Sequence, residues 1–496
     1  MTNHKKIGLV ELPYMRLYDS QKNNWLSSRE IHDPLSSKQI LISSLEDGGF
    51  DVHLVNLKKG DELVELGNVE WRGKELTKGY SGMKVTGLDY EEYDCWGITI
   101  NLLLKREVAC MLIKHLAAGD KPIVVGGSDA IANPEIYIRA GADAVVLDKS
   151  GAVNCSVIDY VLGNPPRQEL GKVILADGTR ASAKIKVMSP EEWPLPSLET
   201  ARDCMGGMAY VPEEFLPMAS LISDIGCDRN CDFCQTPTYK LGYKSMSPKR
   251  VLQWVEIQKK AGAKSISFES DQFLGRLLRS EGRNGIFKIL KGMRELELPI
   301  IWMSGLELRK LTLGHGKNND LKPDNELIDA IFEWDGKIGS CLTYIAGERP
   351  VAGRENYQKL LPWQEHLRMM RTIVQAGAPI IAYGVIIGFP DESPDTLSSL
   401  EDALYELHHE LMSINSSLKL MILPFAFSPI PGTVQGINME KSGLIRFDDP
   451  FLSGGFWTPT LDTQYLSYEE ISDWQMRLFQ INSDFDLRVQ HAFSRP

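Results

Sequence analysis

The stretch IGCDRNCDFCQTP (225–237) carries three cysteines, Cys227, Cys231 and Cys234, separated by four and three residues. The apolar run just before it, ASLISDIG (219–226), predicts a short strand. Three thiolates at this spacing can converge on one [4Fe-4S] cubane, and no fourth cysteine lies nearby to complete the set that simple electron carriers use. One iron of such a cluster stays open to another ligand.

A zinc loop is the structural alternative for these cysteines. Structural zinc sites use four ligands, commonly two CxxC pairs or one CxxC pair with an HxxxH pair. The CxxxCxxC loop has no such partner pair, so the cluster is favoured. The remaining cysteines most often serve as buried packing residues: Cys95, Cys110, Cys155, Cys204 and Cys341.

The composition is that of a multidomain globular protein. The chain has 496 residues, of which 43% are hydrophobic and 24% charged, and a single core rarely grows to this length. A net charge of -12 disfavours nucleic acid as a partner, because binders of phosphate backbones usually carry a basic face. The start lacks a signal-peptide pattern, and no apolar run is long enough for a membrane helix. We therefore expect a cytoplasmic protein.

Strand-like and helix-like segments alternate through residues 1–160, which predicts a Rossmann-like α/β domain with a parallel sheet covered by helices. The predicted strands are 6–12, 51–57, 94–101, 122–128 and 142–148, and the predicted helices are 37–49, 104–118 and 133–140.

Residues 161–218 are rich in proline, glycine and small polar residues, as in a linker with one hairpin. From 219 to 437 the alternation resumes with six apolar strands, which predicts a partial (β/α)6 barrel whose site lies at the C-terminal ends of its strands. Residues 438–496 are expected to form a helical cap.

The segment from Cys227 to Pro237 resembles the cluster loop of the radical S-adenosylmethionine (SAM) superfamily, and the similarity covers roughly 219–435. The resemblance implies that the cluster and SAM generate a 5′-deoxyadenosyl radical that abstracts hydrogen from a substrate. Phe233 matches the aromatic residue on the adenine side of SAM in this family.

Further positions match the family's SAM-binding segments. Glu269 and Asp271 end the second barrel strand, where the family contacts the SAM amino group. Ser304 and Glu307 follow the third strand. The segment YGVIIGFPDES resembles the family's sixth-strand segment beside adenine and contributes Gly384, Ile387 and Gly388.

The N-terminal half resembles the cobalamin-binding-like domain of one subgroup. PIVVGGS (122–128) and NPEIYIRAGADAVVLD (133–148) match its GG loop, helix and last strand, and SPIPGT (428–433) matches the turn after its last barrel strand. Two departures leave cobalamin an open alternative: LDKSG (147–151) replaces a Gly-Glu-Gly-Glu-like turn, and no Asp-x-His-x-x-Gly motif exists.

Cys341, interpreted as part of the fifth barrel strand, has small neighbours in Gly339 and Ser340. A thiol facing the substrate could return hydrogen to a carbon radical from the opposite side, which defines an epimerase. The chain is similar to the peptide epimerases of proteusin-type pathways, which implies a ribosomal precursor peptide (leader plus core) as substrate and a flavodoxin- or ferredoxin-type electron donor. The insertion 348–366 could line a peptide groove, and Cys204 is a weaker candidate for the hydrogen-donor thiol.

Two other functions stay open. In a cobalamin-dependent radical methylase acting on a peptide or small natural product, SAM would also supply methyl to the corrin, and Cys341 would be structural. In a binding or scaffold protein, the cluster would only stabilise the fold and SAM would not be cleaved.

Overall fold

The computed structural model describes residues 4–21, 33–208, 211–353 and 357–484. The N-terminal half contains β1 (Lys6–Glu11), β2 (Tyr14–Tyr18), α1 (Ser36–Asp47), β3 (Asp51–Asn56), β4 (Glu62–Trp71), β5 (Lys74–Gly82), β6 (Cys95–Thr99), α2 (Arg106–Leu116), β7 (Ile123–Gly126), α3 (Ser128–Ala132), α4 (Pro134–Ala140), β8 (Ala144–Val146), α5 (Asn154–Val161), β9 (Gly171–Leu175), β10 (Arg180–Ser182) and α6 (Leu198–Asp203).

The C-terminal half contains β11 (Met218–Leu221), β12 (Asp224–Ile225), β13 (Lys244–Ser245), α7 (Pro248–Ala261), β14 (Ser265–Phe268), α8 (Gly282–Glu295), β15 (Ile300–Trp302), α9 (Asn325–Phe332), β16 (Ser340–Glu348), α10 (Trp363–Gln375), β17 (Ile380–Ile387), α11 (Pro394–Ile414), β18 (Lys419–Ala426), α12 (Val434–Ser442), α13 (Pro450–Ser453) and α14 (Tyr468–Asp484).

The first sheet confirms the predicted α/β organisation of the N-terminal domain. Its strand order is β10-β9-β8-β7-β6-β1-β3, and the five predicted strands pair in parallel. These strands are short apolar runs because both faces of the sheet are covered. Leu112 and Tyr137, from α2 and α4, pack in the core of one face, whereas Leu45 and Val157, from α1 and α5, pack in the core of the other.

The hairpin β9–β10 adds two antiparallel strands to this sheet. Val146 of β8 pairs with Val173 of β9, so the sheet is mixed. The hairpin that the sequence places in the linker therefore extends the first sheet past residue 160, to Ser182.

The second sheet is the predicted six-stranded partial barrel. Its order is β11-β14-β15-β16-β17-β18, and every neighbouring pair is parallel. Its strands pack against α7 to α11 around one large apolar core, so all the C-terminal strand ends share one edge. Cys341 lies on β16 and Gly384 on β17, which are the fourth and fifth strands of this sheet. The expected positions, fifth and sixth, are wrong by one strand.

A three-stranded antiparallel sheet of order β2-β5-β4 was not predicted. Arg72 and Gly73, both at positive φ, form the two-residue turn between β4 and β5, as in tight hairpins. This sheet contacts the C-terminal segment, because the Trp71 indole donates to the carbonyl of Pro459 at 2.9 Å. The last helix, α14, packs along β18, where the Ile422 backbone N–H donates to Asn482 Oδ1 at 2.9 Å. None of the helices in the described ranges is long and apolar enough to cross a membrane.

Candidate functional site

The three cysteines of the loop after β12 line one cavity of about 210 Å³ at the C-terminal edge of the barrel. Gly226, directly before Cys227, has φ +80, and a Cβ there would meet the carbonyl oxygen of Gly242 at 2.2 Å. The loop can therefore begin only with glycine at this position. Within it, the Cys234 N–H donates to the carbonyl of Cys231 at 3.1 Å.

The three thiols fit a cluster better than a single ion. Among the described residues, no three His, Cys, Asp or Glu side chains are arranged to hold one metal ion, whereas a cubane binds each thiolate through a different iron and so keeps its ligands farther apart. Burial raises the pKa of the Cys231 thiol to about 11. Iron binding must therefore displace its proton.

A charged network fastens the cysteine loop to the third barrel strand. Glu307 accepts hydrogen bonds from Arg229 Nε at 3.2 Å, Lys310 Nζ at 2.6 Å and Gln272 Nε2 at 3.0 Å. Lys310 also donates to Asp228 at 2.8 Å. With these partners, Glu307 holds the loop as well as lining the cavity.

Phe233 lines this cavity, and its ring contacts those of Tyr357 and Phe389 edge to face, with centroid distances of 5.2 and 5.9 Å. The ammonium of Lys359 stands 5.4 Å from the centre of the Phe233 ring. The ring is thus fixed by aromatic packing beside the third cysteine.

Glu348 is a cavity residue that the sequence did not single out as a site residue. It ends β16 at φ +54, a conformation that costs a non-glycine residue about 1–2 kcal/mol, beside an irregularity in the pairing with β17. One carboxylate oxygen accepts from Lys359. The other, Oε2, is buried without a hydrogen-bond partner among the described residues. Its only sequence signal is its place at the start of the predicted insertion; residues 354–356 of that insertion lie outside the described residues.

The structure gathers some of the predicted SAM-contacting residues and separates others. Asp271, Ser304 and Glu307 line the cysteine cavity together with Phe233. Glu269 does not, since it faces a second cavity.

Gly384 and Ile387 of β17 and Gly388, directly after the strand, also lie outside the lining of the cysteine cavity. Gly384 makes room for Tyr344, whose hydroxyl would lie 2.0 Å from a Cβ at this position, and the Gly388 N–H donates to Glu392. Side chains alternate along a strand. Ile386, not Ile387, therefore packs with Phe233, whereas Ile387 belongs to the barrel core.

The expectation that Cys341 faces the active site is wrong in this structure. Cys341 is 1% exposed and packs among Met218, Ile301 and Leu342, and its thiol points to the carbonyl of Ile300 at 3.4 Å. It is the second residue of β16, whereas the last, Glu348, lines the cavity, which separates them by roughly 20 Å along the strand. Cys204, the weaker candidate, is buried beside Leu9 and Ile42.

A second cavity, of about 340 Å³, lies between the two domains. Its walls come from β1, β6, β7 and β8 of the first sheet, from α1 and α5, and from the barrel residues Ile222, Ile225, Glu269 and Asp271. A Cβ added to Gly126 would have only the Val146 Cβ near it, at 4.0 Å. The cavity therefore has free space beside Gly126. We name this the interdomain cavity.

Polar groups from both domains meet at this cavity. The Ser36 hydroxyl donates to Glu269 Oε2 at 2.8 Å, and burial nevertheless raises the pKa of Glu269 to about 7. Asp271 lines both cavities and accepts the Gly226 N–H at 2.7 Å through Oδ2. Asp271 is therefore the point where the interdomain cavity meets the cysteine loop.

Comparisons with known sequences give distant matches. No family model matches the chain. Two tRNA-2-methylthio-N(6)-dimethylallyladenosine synthases, from Ruegeria sp. (strain TM1040) and Ruegeria pomeroyi, are 24% and 25% identical over 199 residues, which cover 39% and 38% of this chain. The matched span is 42% of each relative, less than half its length.

Solved structures match almost the whole chain. The cobalamin-dependent SAM radical enzyme OxsB, with aqua-cobalamin and SAM bound, superposes with a TM-score of 0.66 at 16% identity, covering 97% of this chain and 67% of OxsB. The radical SAM methyltransferase TsrM from Kitasatospora setae, with cobalamin and a [4Fe-4S] cluster bound, gives a TM-score of 0.59 at 13% identity, covering 96% of this chain and 82% of TsrM. The chain thus has the two-domain fold of these cobalamin-dependent radical SAM enzymes, which confirms the fold that the resemblance implies, whereas the resemblance to peptide epimerases stays a prediction.

Proposed function

We propose that this chain is a cobalamin-dependent radical SAM methyltransferase that acts on a peptide or small natural product. The observation that carries the proposal is the junction of two cavities at Asp271, one lined by the three cysteines and the other by the ends of the Rossmann-like sheet. Such a junction brings a corrinoid and a cluster-bound SAM to opposite sides of one residue.

Cys227, Cys231 and Cys234 would hold the cluster, with SAM beside them against Phe233, Asp271, Ser304 and Glu307. When bound, the cluster supplies the electron that cleaves SAM to methionine and a 5′-deoxyadenosyl radical. The chain's own groups anchor the loop, keep Phe233 in place and exclude water from the cavity.

The interdomain cavity would hold part of a corrinoid, which supplies a transferable methyl group. Its volume is in the range of cofactor pockets, its walls are largely apolar, and the open wall at Gly126 admits a flat or bulky group. LDKSG does not block the cavity, since Lys149, Ser150 and Gly151 line it.

Peptide epimerisation, the function that the sequence favours, has no donor thiol here. Within residues 4–21, 33–208, 211–353 and 357–484, which include all eight cysteines, only the three loop cysteines line the cysteine cavity. This is why we prefer methyl transfer. A purely structural cluster is disfavoured because the cavity extends beyond the three cysteines to Ser304, Glu307 and Glu348, which leaves space for a second molecule beside the cluster.

The substrate classes and the flavodoxin- or ferredoxin-type donor stay predictions. The tRNA named in the two Ruegeria relatives is not part of the proposal, because a net charge of -12 opposes binding to a phosphate backbone.

The test uses full-length protein produced with iron, sulfide and cobalamin and purified without oxygen. Corrinoid and iron are quantified, and the reduced protein is incubated with SAM that carries an isotopically labelled methyl group. We expect stoichiometric corrinoid, 5′-deoxyadenosine formation and label in the corrinoid fraction, with 5′-deoxyadenosine lost in Cys231→Ala. Iron and SAM cleavage without corrinoid or label transfer would overturn the methyltransferase in favour of radical chemistry without cobalamin.

A further inference from the structure

Lys149 and Asp271 face the same space from opposite domains. Both line the interdomain cavity and both keep exposed surface, and desolvation is nevertheless the largest influence on the pKa of each, lowering that of Lys149 and raising that of Asp271. Both charged groups are therefore accessible to a molecule bound in this cavity.

The two charges influence one another without touching. Asp271 raises the pKa of Lys149, and Lys149 lowers that of Asp271, yet no ion pair joins them in the described part of the chain. Lys149 instead contacts other groups: Nζ donates to Ser128 Oγ at 2.8 Å and lies 3.4 Å from Asn101 Oδ1, both in its own domain, and it stands 5.5 Å from the centre of the Tyr239 ring of the barrel domain.

Each group keeps hydrogen-bonding capacity directed at the cavity. An ammonium has three N–H donors, and Ser128 and Asn101 account for two of those of Lys149. Asp271 uses Oδ2 for the Gly226 N–H, and its Oδ1 has no hydrogen-bond partner among the described residues. The cavity thus presents one donor and one acceptor, from opposite walls.

We propose that Lys149 and Asp271 form a binding site for a neutral amide, and, resting on the proposed function, that this amide is a peripheral carboxamide of the corrin ring. A cationic group would be repelled by Lys149 and an anionic group by Asp271. A primary amide satisfies both residues, because its carbonyl accepts from Lys149 while its N–H donates to Asp271. Lys149 belongs to LDKSG, so the departure from the family's acidic turn supplies the donor.

The test measures Kd by spectral titration of cluster-loaded, full-length protein with hydroxocobalamin. We expect Lys149→Met to weaken binding about tenfold, the typical effect of losing a charge-assisted hydrogen bond, and Lys149→Arg to restore most of it. Asp271→Asn should also weaken binding. The loss of binding free energy in the double variant Lys149→Met/Asp271→Asn should be smaller than the sum of the losses in the two single variants. Lys186→Met, which removes a surface charge with a side chain 90% exposed, is the matched control and should bind normally.

A parallel titration with cobinamide, which keeps the corrin amides but lacks the nucleotide, identifies the group. We expect the same Lys149→Met effect. An effect that disappears with cobinamide would assign the pair to the nucleotide and overturn the amide site. Unchanged Kd in both single variants would overturn it while leaving the proposed function intact, whereas a wild-type chain that binds neither corrinoid would overturn both.

Discussion

Arg229 and Glu307 form a buried ion pair that ties the cysteine loop to the segment after β15. Arg229 stands between the first two cysteines of the loop, and its Nε lies 3.2 Å from Glu307 Oε1. The Glu307 side chain is 4% exposed and that of its other cationic partner, Lys310, is 0% exposed. The position of the thiols therefore depends on a carboxylate about 80 residues away in sequence.

Glu307→Gln should impair cluster loading. Removing this carboxylate leaves two poorly solvated cations with only Asp228 to balance them, and breaking a buried pair typically costs about 3 kcal/mol or more. We expect a lower Tm and less iron per chain after reconstitution. Glu326→Gln is the control, because Glu326 also pairs with an arginine but is 75% exposed. Equal iron content in the two variants would contradict the anchoring role.

Glu348→Gly should be more stable than Glu348→Ala. Both changes remove the carboxylate that pairs with Lys359, so they differ mainly in how well each residue tolerates φ +54. Glycine adopts this conformation freely and alanine does not, which predicts a difference of about 1 kcal/mol. Thermal unfolding of the two variants measures it. A lower Tm for the glycine variant would show that the backbone at this strand end is not strained.

The sequence predicted those parts of the molecule that a local pattern determines. The parallel strands of both large sheets were predictable because strands buried on both faces are short, continuous apolar runs. The convergence of the three cysteines on one cavity followed from their spacing. The sheet β2-β5-β4 was missed because β4 is mostly exposed on both faces, so it lacks a clear apolar pattern; the Arg72-Gly73 turn was its available signal.

The distance along a strand between a residue and the cavity could not be predicted from the sequence. Cys341 and Glu348 share β16, and the sequence does not tell which end of a nine-residue strand faces the site until its register with β15 and β17 is known. The role of Glu348 depends on its backbone conformation, and that of Lys149 depends on how two domains meet. The local sequence shows only that Glu348 begins the predicted insertion and that Lys149 lies in LDKSG (147–151), and neither observation reveals these roles.

Cys341→Ala should leave the chemistry unchanged. The thiol lies among apolar side chains at the opposite end of β16 from the cavity, so it cannot donate hydrogen to a substrate there. We expect wild-type rates of 5′-deoxyadenosine formation and, once a substrate is known, the same product, with only a modest loss of Tm from the small space created. Loss of a D-configured product in this variant would reinstate the epimerase.

Protonation of Glu269 should make stability depend on pH. Burial raises its pKa from 4.5 to about 7, against the opposing hydrogen bond from Ser36. A carboxyl with a raised folded pKa favours folding below its unfolded pKa, and this contribution is lost as the pH rises through about 7. For a shift of this size the loss is about 3 kcal/mol. The Tm of corrinoid-free protein should therefore fall between pH 5 and pH 8 by more than that of Glu269→Gln. Parallel curves for the two proteins would contradict the assignment.

Gly126→Leu should fill the interdomain cavity and exclude the corrinoid while sparing the cluster. Gly126 ends β7 without a positive φ, and a Cβ there meets nothing closer than 4.0 Å, so leucine fits the backbone and projects into the cavity. We expect corrinoid affinity to fall about tenfold or more, because a bound group must then displace a packed side chain. Iron content and the binding of SAM should be unchanged, since no residue of β7 lines the cysteine cavity.

Gly87→Leu, on an exposed turn of the same domain, is the matched control and should bind corrinoid normally. Wild-type affinity in Gly126→Leu would place the corrinoid elsewhere, whereas a joint loss of iron and corrinoid would mean that the two cavities are coupled through Asp271 more tightly than their separate linings indicate.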